Sequence, residues 1–92
     1  MTKPKLYCKK PIVVRALQWT GENEESICEF VGEKYFINSR GDLYIETLEG
    51  ILKANVGDYV VQGLAGEFYP CREDIFLNSY NEMEVGIDVR KY

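Results

Sequence analysis

The sequence predicts an α+β domain: an antiparallel meander of five or six strands, open or curled into a partial barrel, with two short helices packed on it. Three observations carry this. Short stretches rich in Val, Ile, Leu and Tyr alternate with a period of two, the mark of strands. Glycine-bearing turn signals at Gly41-Asp42, Glu49-Gly50 and Gly57-Asp58 separate them. Two other stretches, around Ile27 and Phe76, carry apolar residues at three- and four-residue spacing.

Residues 1–9 read as a basic arm. Pro11 can open a strand, since its missing N–H is tolerated there, and Ile12 to Trp19 (IVVRALQW) is the first strand. Ile12, Val14 and Ala16 share one face, while Val13, Leu17 and Trp19 share the other, so both faces are expected to be covered. Thr20-Gly21 ends it. Asn23 is a suitable N-cap for the helix that follows, and Glu24 and Glu25 suit the positive end of its dipole. Ile27, Phe30 and Val31 form its apolar stripe, and Gly32 is placed for a left-handed C-cap.

Tyr35 to Asn38 is a short strand, followed by the turn Ser39-Arg40-Gly41-Asp42 and a strand from Leu43 to Leu48. Glu49-Gly50 is the tight turn of a hairpin whose second arm is Ile51 to Val56. Gly57-Asp58 leads into Tyr59 to Gln62, and Gly63 to Gly66 connects to Glu67-Phe68-Tyr69, with Pro70 ending that strand. Arg72 to Tyr80 has helical spacing that would turn Ile75, Phe76 and Tyr80 to the sheet together, with Glu73 and Asp74 in the first turn. Residues 82–92 alternate at Val85, Ile87 and Val89 and read as an edge strand or a tail able to pair with another chain, a route to a homo-oligomer.

Ninety-two residues, of which 46% are hydrophobic, make one domain spanning 1–92 with an adequate core. No apolar run approaches the ~18 residues of a membrane span, and MTKPKLYCKKP lacks the hydrophobic region of a secretion signal, so a cytoplasmic location is expected. Cys8, Cys28 and Cys71 are unevenly spaced and form no CxxC pair, which predicts reduced thiols rather than a metal site or disulfide. Net charge is −4, but residues 1–15 carry five bases and no acid, leaving six bases against fifteen acids, a net −9, over the rest. The basic arm could touch a phosphate backbone; the acidic body opposes nucleic acid, and a solvated terminal segment explains the charge as well.

The sequence contains no histidine. Ser-His-Asp and Cys-His catalysis and His-ligated metals are therefore excluded. No Walker or dinucleotide-binding loop is present. The residues thus predict a protein that is not an enzyme and needs neither cofactor nor metal. Carboxylate pairs, Glu67 with Asp74 or Asp58 with Glu67, could serve as acid and base, yet each is explained by a turn, a helix start or a solvent face. Cys71 stands before a helix, where a thiol can be activated, but Glu73 and Asp74 follow it. Arg40-Gly41-Asp42 spells an integrin signature; turn chemistry accounts for it. Trp19, Tyr35, Phe36, Tyr44, Tyr59, Phe68 and Tyr69 could stack bases, although strand aromatics more commonly form core and cross-strand pairs.

ALQWTG (Ala16–Gly21), IETLEG (Ile45–Gly50) and GDYVVQGLAGEFYPCREDIFLNSY (Gly57–Tyr80) together resemble a family of small, uncharacterised bacteriophage and prophage proteins marked by PGDY, GEFYPC, DIF and a final Tyr. The resemblance spans residues 12–81. Two positions depart from the pattern: Val56 stands where the family has Pro before Gly57, and Glu73 where it has Pro after Arg72. Both substitutions suit their places, a pre-turn residue and a first helical position. The resemblance implies a phage-encoded protein of the bacterial cytoplasm. A small chain without catalytic groups is expected to act by binding, foremost a host or phage protein, for host modulation or counter-defence. An alternative is a nucleotide-like small ligand held by Arg15, Gln18, Trp19, Tyr59 and Tyr69. A further alternative is weak nucleic-acid binding through the arm.

Overall fold

A computed structural model describes residues 3–6 and 12–82. All but the first residue of the expected edge strand or tail at 82–92, and most of the basic arm, lie outside these residues. The element order is β1 (Arg15–Gln18), α1 (Glu24–Val31), β2 (Tyr35–Ile37), β3 (Leu43–Thr47), β4 (Gly50–Ala54), β5 (Tyr59–Gln62), β6 (Phe68–Cys71) and α2 (Glu73–Ser79). All pairings are antiparallel. The six strands do not form one meander or close into a barrel. They divide into two three-stranded sheets, β1-β5-β6 and β2-β3-β4, here sheets A and B.

Long-range bonds at one corner make this division. Trp19 donates its N–H to the Asp58 carbonyl at 2.8 Å, and the Gly57 N–H bonds the Trp19 carbonyl at 2.7 Å. The chain leaving β4 is thus captured by β1 and cannot continue sheet B. The corner is tightened from within: the Asn55 N–H reaches Asp58 Oδ2 at 2.9 Å, and the Asp58 N–H reaches the Asn55 carbonyl at 2.9 Å. Asp58 is buried in this turn, where the bond from the Asn55 N–H offsets part of the cost of removing a carboxylate from water.

The core lies between the two sheets and α1. It joins Trp19, Ile27, Val31, Leu43, Ile45, Ala54, Val60 and Phe68. In β3 the alternation works as the sequence predicts: Leu43 and Ile45 are buried and Tyr44 and Glu46 turn outward. In β1 it does not. The strand is shorter than Ile12–Trp19, and Val13, Arg15 and Ala16 are exposed, so β1 is not covered on both faces by the described residues.

α1 ends at Gly32, whose φ of +71° has the expected sign but whose ψ of −132° lies outside the left-handed helical region; its N–H bonds the Cys28 carbonyl at 2.9 Å. Its start differs. Asn23 makes no side-chain cap; its Oδ1 accepts from the Thr20 N–H at 2.9 Å and its Nδ2 donates to the Gln18 carbonyl at 2.8 Å. The amide is spent on fastening the end of β1. The hairpin turn between β3 and β4 consists of Leu48 and Glu49, both at negative φ, with Gly50 at φ +114° taking the residue that must be unusual. Glycine tolerates that backbone, and the strands pair without offset from Thr47–Gly50 to Leu43–Ala54.

Two expectations around β6 are corrected. Pro70 does not end the strand but lies inside it, paired with Val60. β6 is an edge, and there a missing N–H costs no ladder bond. Ile75 does not face the sheet; it is exposed, and α2 buries no residue. Phe76 and Tyr80, four apart, occupy the sheet side instead, and Ile75 sits about 100° round the helix from Phe76.

Candidate interaction surface

The five residues proposed to bind a ligand do not converge. Opposed residues in adjacent antiparallel strands share a face. Gln18, Tyr59 and Cys71 therefore form one row on the outer face of sheet A, and Ala16, Val61 and Tyr69 the next. Arg15 is on the opposite face, its guanidinium carbon 5.2 Å from the centroid of Phe30 on α1 and its Nη1 3.4 Å from Gln62 Oε1. Trp19 is 2% exposed and belongs to the core, so its ring has no free face for stacking.

The three residues that do meet are engaged by the fold. Tyr59 stacks on Phe76 at 4.2 Å between centroids, and Phe76 stacks on Tyr80 at 4.9 Å. Gln18 Nε2 donates to the Gly57 carbonyl at 3.0 Å and to Glu73 Oε2 at 2.8 Å, tying β1, the corner turn and α2 together. Tyr69 lies beside Tyr80; burial, followed by that neighbour, pushes its hydroxyl pKa up. Val61, beneath this layer, is fully buried.

Cys71 stands directly before Arg72 and α2, half-buried at the end of β6. Burial, with the charges of Asp58 and Asp74, pushes its thiol pKa up. Asp74 is held low by the Arg72 guanidinium, which donates to both its oxygens, at 3.1 and 2.6 Å. Asp58 and Asp74 stand at one end of β6 and Glu67 at the other, separated by a strand of about 13 Å, so neither proposed carboxylate pair is assembled. Glu67 folds back onto its own turn, where its Oε1 accepts from the Ala65 N–H at 3.0 Å. The Arg40-Gly41-Asp42 turn is likewise self-satisfied: Asn38 Oδ1 accepts from the Arg40 and Asp42 N–H groups, and Asp42 pairs with Lys53 at 3.7 Å.

Among the described residues, no group of three or more His, Cys, Asp or Glu could hold a metal, and no helix is long and apolar enough to cross a membrane. A groove of about 310 Å³ runs between the β3–β4 hairpin and β6, lined by Thr47, Leu48, Leu52, Glu67, Phe68 and Tyr69 among others. Of the five proposed residues, only Tyr69 touches it.

The outer face of sheet B carries a stacked aromatic pair. Register places Phe36, Tyr44 and Lys53 in one row and Glu46 with Ile51 in the next. Lys34 extends the second row, since its carbonyl accepts the Glu46 N–H at 2.8 Å. Phe36 and Tyr44 stack with centroids 5.0 Å apart and planes 9° from parallel, yet Phe36 stays 48% exposed and Ile51 59% exposed. Charges of both signs rim the patch: Lys34, Lys53, Glu46 and Asp42. Alternation in β3 would mark Tyr44 as outward-facing, but its partnership with Phe36 requires the β2–β3 register, which the sequence does not state.

Compared with known proteins, the chain matches no family model, no curated protein and no solved structure.

Proposed function

We propose that this chain is a non-catalytic protein-binding module whose contact surface is the outer face of sheet B. The observation that carries the reading is the stacked Phe36–Tyr44 pair, its Phe36 ring exposed and Tyr44 half-buried, beside the exposed Ile51 on a three-stranded sheet. Aromatic anchors within a mixed-charge rim are the usual composition of protein contact surfaces. The cost of ordering them is low, because the two rings already hold each other in place and few rotamers are lost on binding. The partner is a protein offering an apolar patch with charges complementary to Lys34, Glu46 and Lys53. From the resemblance to phage and prophage proteins, that partner is a host or phage protein met in the bacterial cytoplasm, and host modulation or counter-defence is the setting.

The test compares the wild-type chain with Phe36→Ser/Tyr44→Ser as baits in lysates of phage-infected bacteria. A protein held by the wild type and released by the variant is then purified and titrated. The double substitution is expected to weaken its binding by roughly 30-fold or more, as for loss of a central anchor. Equal retention by both baits, or no specific partner with a folded wild type, overturns the reading.

A further inference from the structure

The four sheet edges are not alike. On β1, the outward Gln18 carbonyl is capped by Asn23 Nδ2 at 2.8 Å. On β6, the Gly63 N–H bonds the Glu67 carbonyl at 2.8 Å, so residues 67, 69 and 71 turn toward β5 and Phe68 and Pro70 form the outer edge. Pro70 has no N–H to offer there. β2 is three residues long. Short strands, prolines and capped groups are the usual protections against unwanted strand pairing.

β4 is five residues long with no proline, and its one charged side chain, Lys53, is drawn toward Asp42, just before β3, at 3.7 Å. Glu46 donates toward β2, so by alternation Leu43, Ile45 and Thr47 turn to β4 and engage Ala54, Leu52 and Gly50. The N–H and C=O groups of Ile51 and Lys53 therefore point to an edge that no described strand pairs. Apolar side chains stand on both faces: Ile51 is exposed on one, beside Lys53, and Leu52 is 41% exposed on the other. Leu48 and Val56, just beyond its two ends, are exposed as well.

We infer that this edge pairs with a second copy of itself, β4 against β4 in antiparallel register about a two-fold axis at Leu52. The sequence is self-complementary in this register. Leu52 meets Leu52 of the second copy, and Ile51 meets Lys53, so the outward backbone groups of both copies face one another. Gly50 meets Ala54. Leu48 is brought to Val56, which covers two exposed apolar side chains per copy and closes over the groove that Leu48 and Leu52 line. The neighbouring registers are poorer. A shift of one pair toward the hairpin leaves only residues 50–52 opposed within the strand, and the opposite shift sets Lys53 against Lys53. The contact is smaller than a standard interface, so a dissociation constant on the order of 100 μM is expected. The product is a continuous six-stranded sheet with both Phe36–Tyr44 pairs on one face, about 20 Å apart by strand spacing. The dimer does not depend on those pairs being a binding site.

Sedimentation equilibrium of the full chain from about 10 μM to 1 mM, a span bracketing that constant, is expected to show a monomer–dimer equilibrium. Leu52→Lys places like charges at the two-fold and is expected to weaken dimerisation at least tenfold, with the circular dichroism spectrum unchanged. Lys53→Pro removes an outward donor while sparing the bonds to β3 and is expected to do the same. Phe36→Ser/Tyr44→Ser is expected to leave dimerisation intact, which separates this inference from the binding reading. For the register, Leu52→Cys in a background with Cys8, Cys28 and Cys71 changed to Ser is expected to form a disulfide dimer with oxidised glutathione faster than Ile51→Cys. A wild type that stays monomeric through 1 mM, or dimers that are insensitive to Leu52→Lys and Lys53→Pro, overturns the inference. Faster cross-linking at position 51 overturns the register.

Discussion

Sheets A and B are both three-stranded and antiparallel, and both turn one face to the shared core. They differ in what covers the other face. Over sheet A, α2 and the Tyr59–Phe76–Tyr80 stack lie across the strands, and Val61 beneath them is fully buried. Over sheet B no described element lies, and its aromatic pair is half open to water. The aromatics of the two outer faces are similar in kind. Their roles differ because one set has a helix to stack on and the other has only itself. An aromatic residue on a strand is therefore no guide to function until the layer above it is known.

The largest expected effect tests the difference in burial. Val61→Lys forces an unpaired cation under α2 and is expected to cost more than ~4 kcal/mol, enough to unfold a domain of this size. Ile51→Lys, on the open face of sheet B opposite Glu46, is expected to change stability by less than about 1 kcal/mol. Urea denaturation at low micromolar concentration measures both. If the two substitutions cost the same, the contrast between the sheets fails.

A smaller effect separates the two aromatic layers. Phe76→Ala removes the ring that joins α2 to Tyr59 and is expected to cost about 2 kcal/mol, somewhat less than a fully buried Phe. Amide hydrogen exchange should show residues 73–79 losing protection before the rest, since α2 buries no residue of its own. Phe36→Ala removes only a cross-strand pair and is expected to cost about 0.5–1 kcal/mol.

The smallest effect concerns a tyrosine on the core-facing side of sheet B. The Tyr35 hydroxyl donates to Glu24 Oε2 at 3.0 Å, and this bond, followed by burial, pushes its pKa up to about 12. The neutral phenol is the favoured folded form, so the stabilisation is complete below pH ~10, where an unfolded tyrosine ionises, and is lost as pH rises through about 12. Absorbance at 295 nm should show a late-titrating component that Glu24→Gln moves toward the ordinary range and Tyr35→Phe deletes. Tyr69 is expected to titrate late as well, and because burial is the first cause there, Glu24→Gln should leave it in place.

Elements specified by neighbouring residues were legible from the amino acids alone. The Ile27, Phe30 and Val31 stripe and Gly32 mark α1, the glycines mark the turns, and the alternation of Leu43 and Ile45 marks the buried side of β3. These signals act over a few residues, and local sterics and periodicity are enough to express them. The binding surface was legible only in part. Aromatics on strands could be named, and Tyr44 and Phe36 were among them, but so were Trp19 and Phe68, which the core absorbs.

Other features depend on contacts between residues far apart in the chain. The bonds between Trp19 and residues 57–58 split one expected meander into two sheets and bury the tryptophan. The i, i+4 stack of Phe76 and Tyr80 on Tyr59 turned α2 so that Ile75 faces outward. The register between β2 and β3 set Phe36 against Tyr44. A strand's sequence states which side chains share a face, but not which strand lies beside it or what covers it. Those choices follow from the total area that packing can bury, a property of the whole chain.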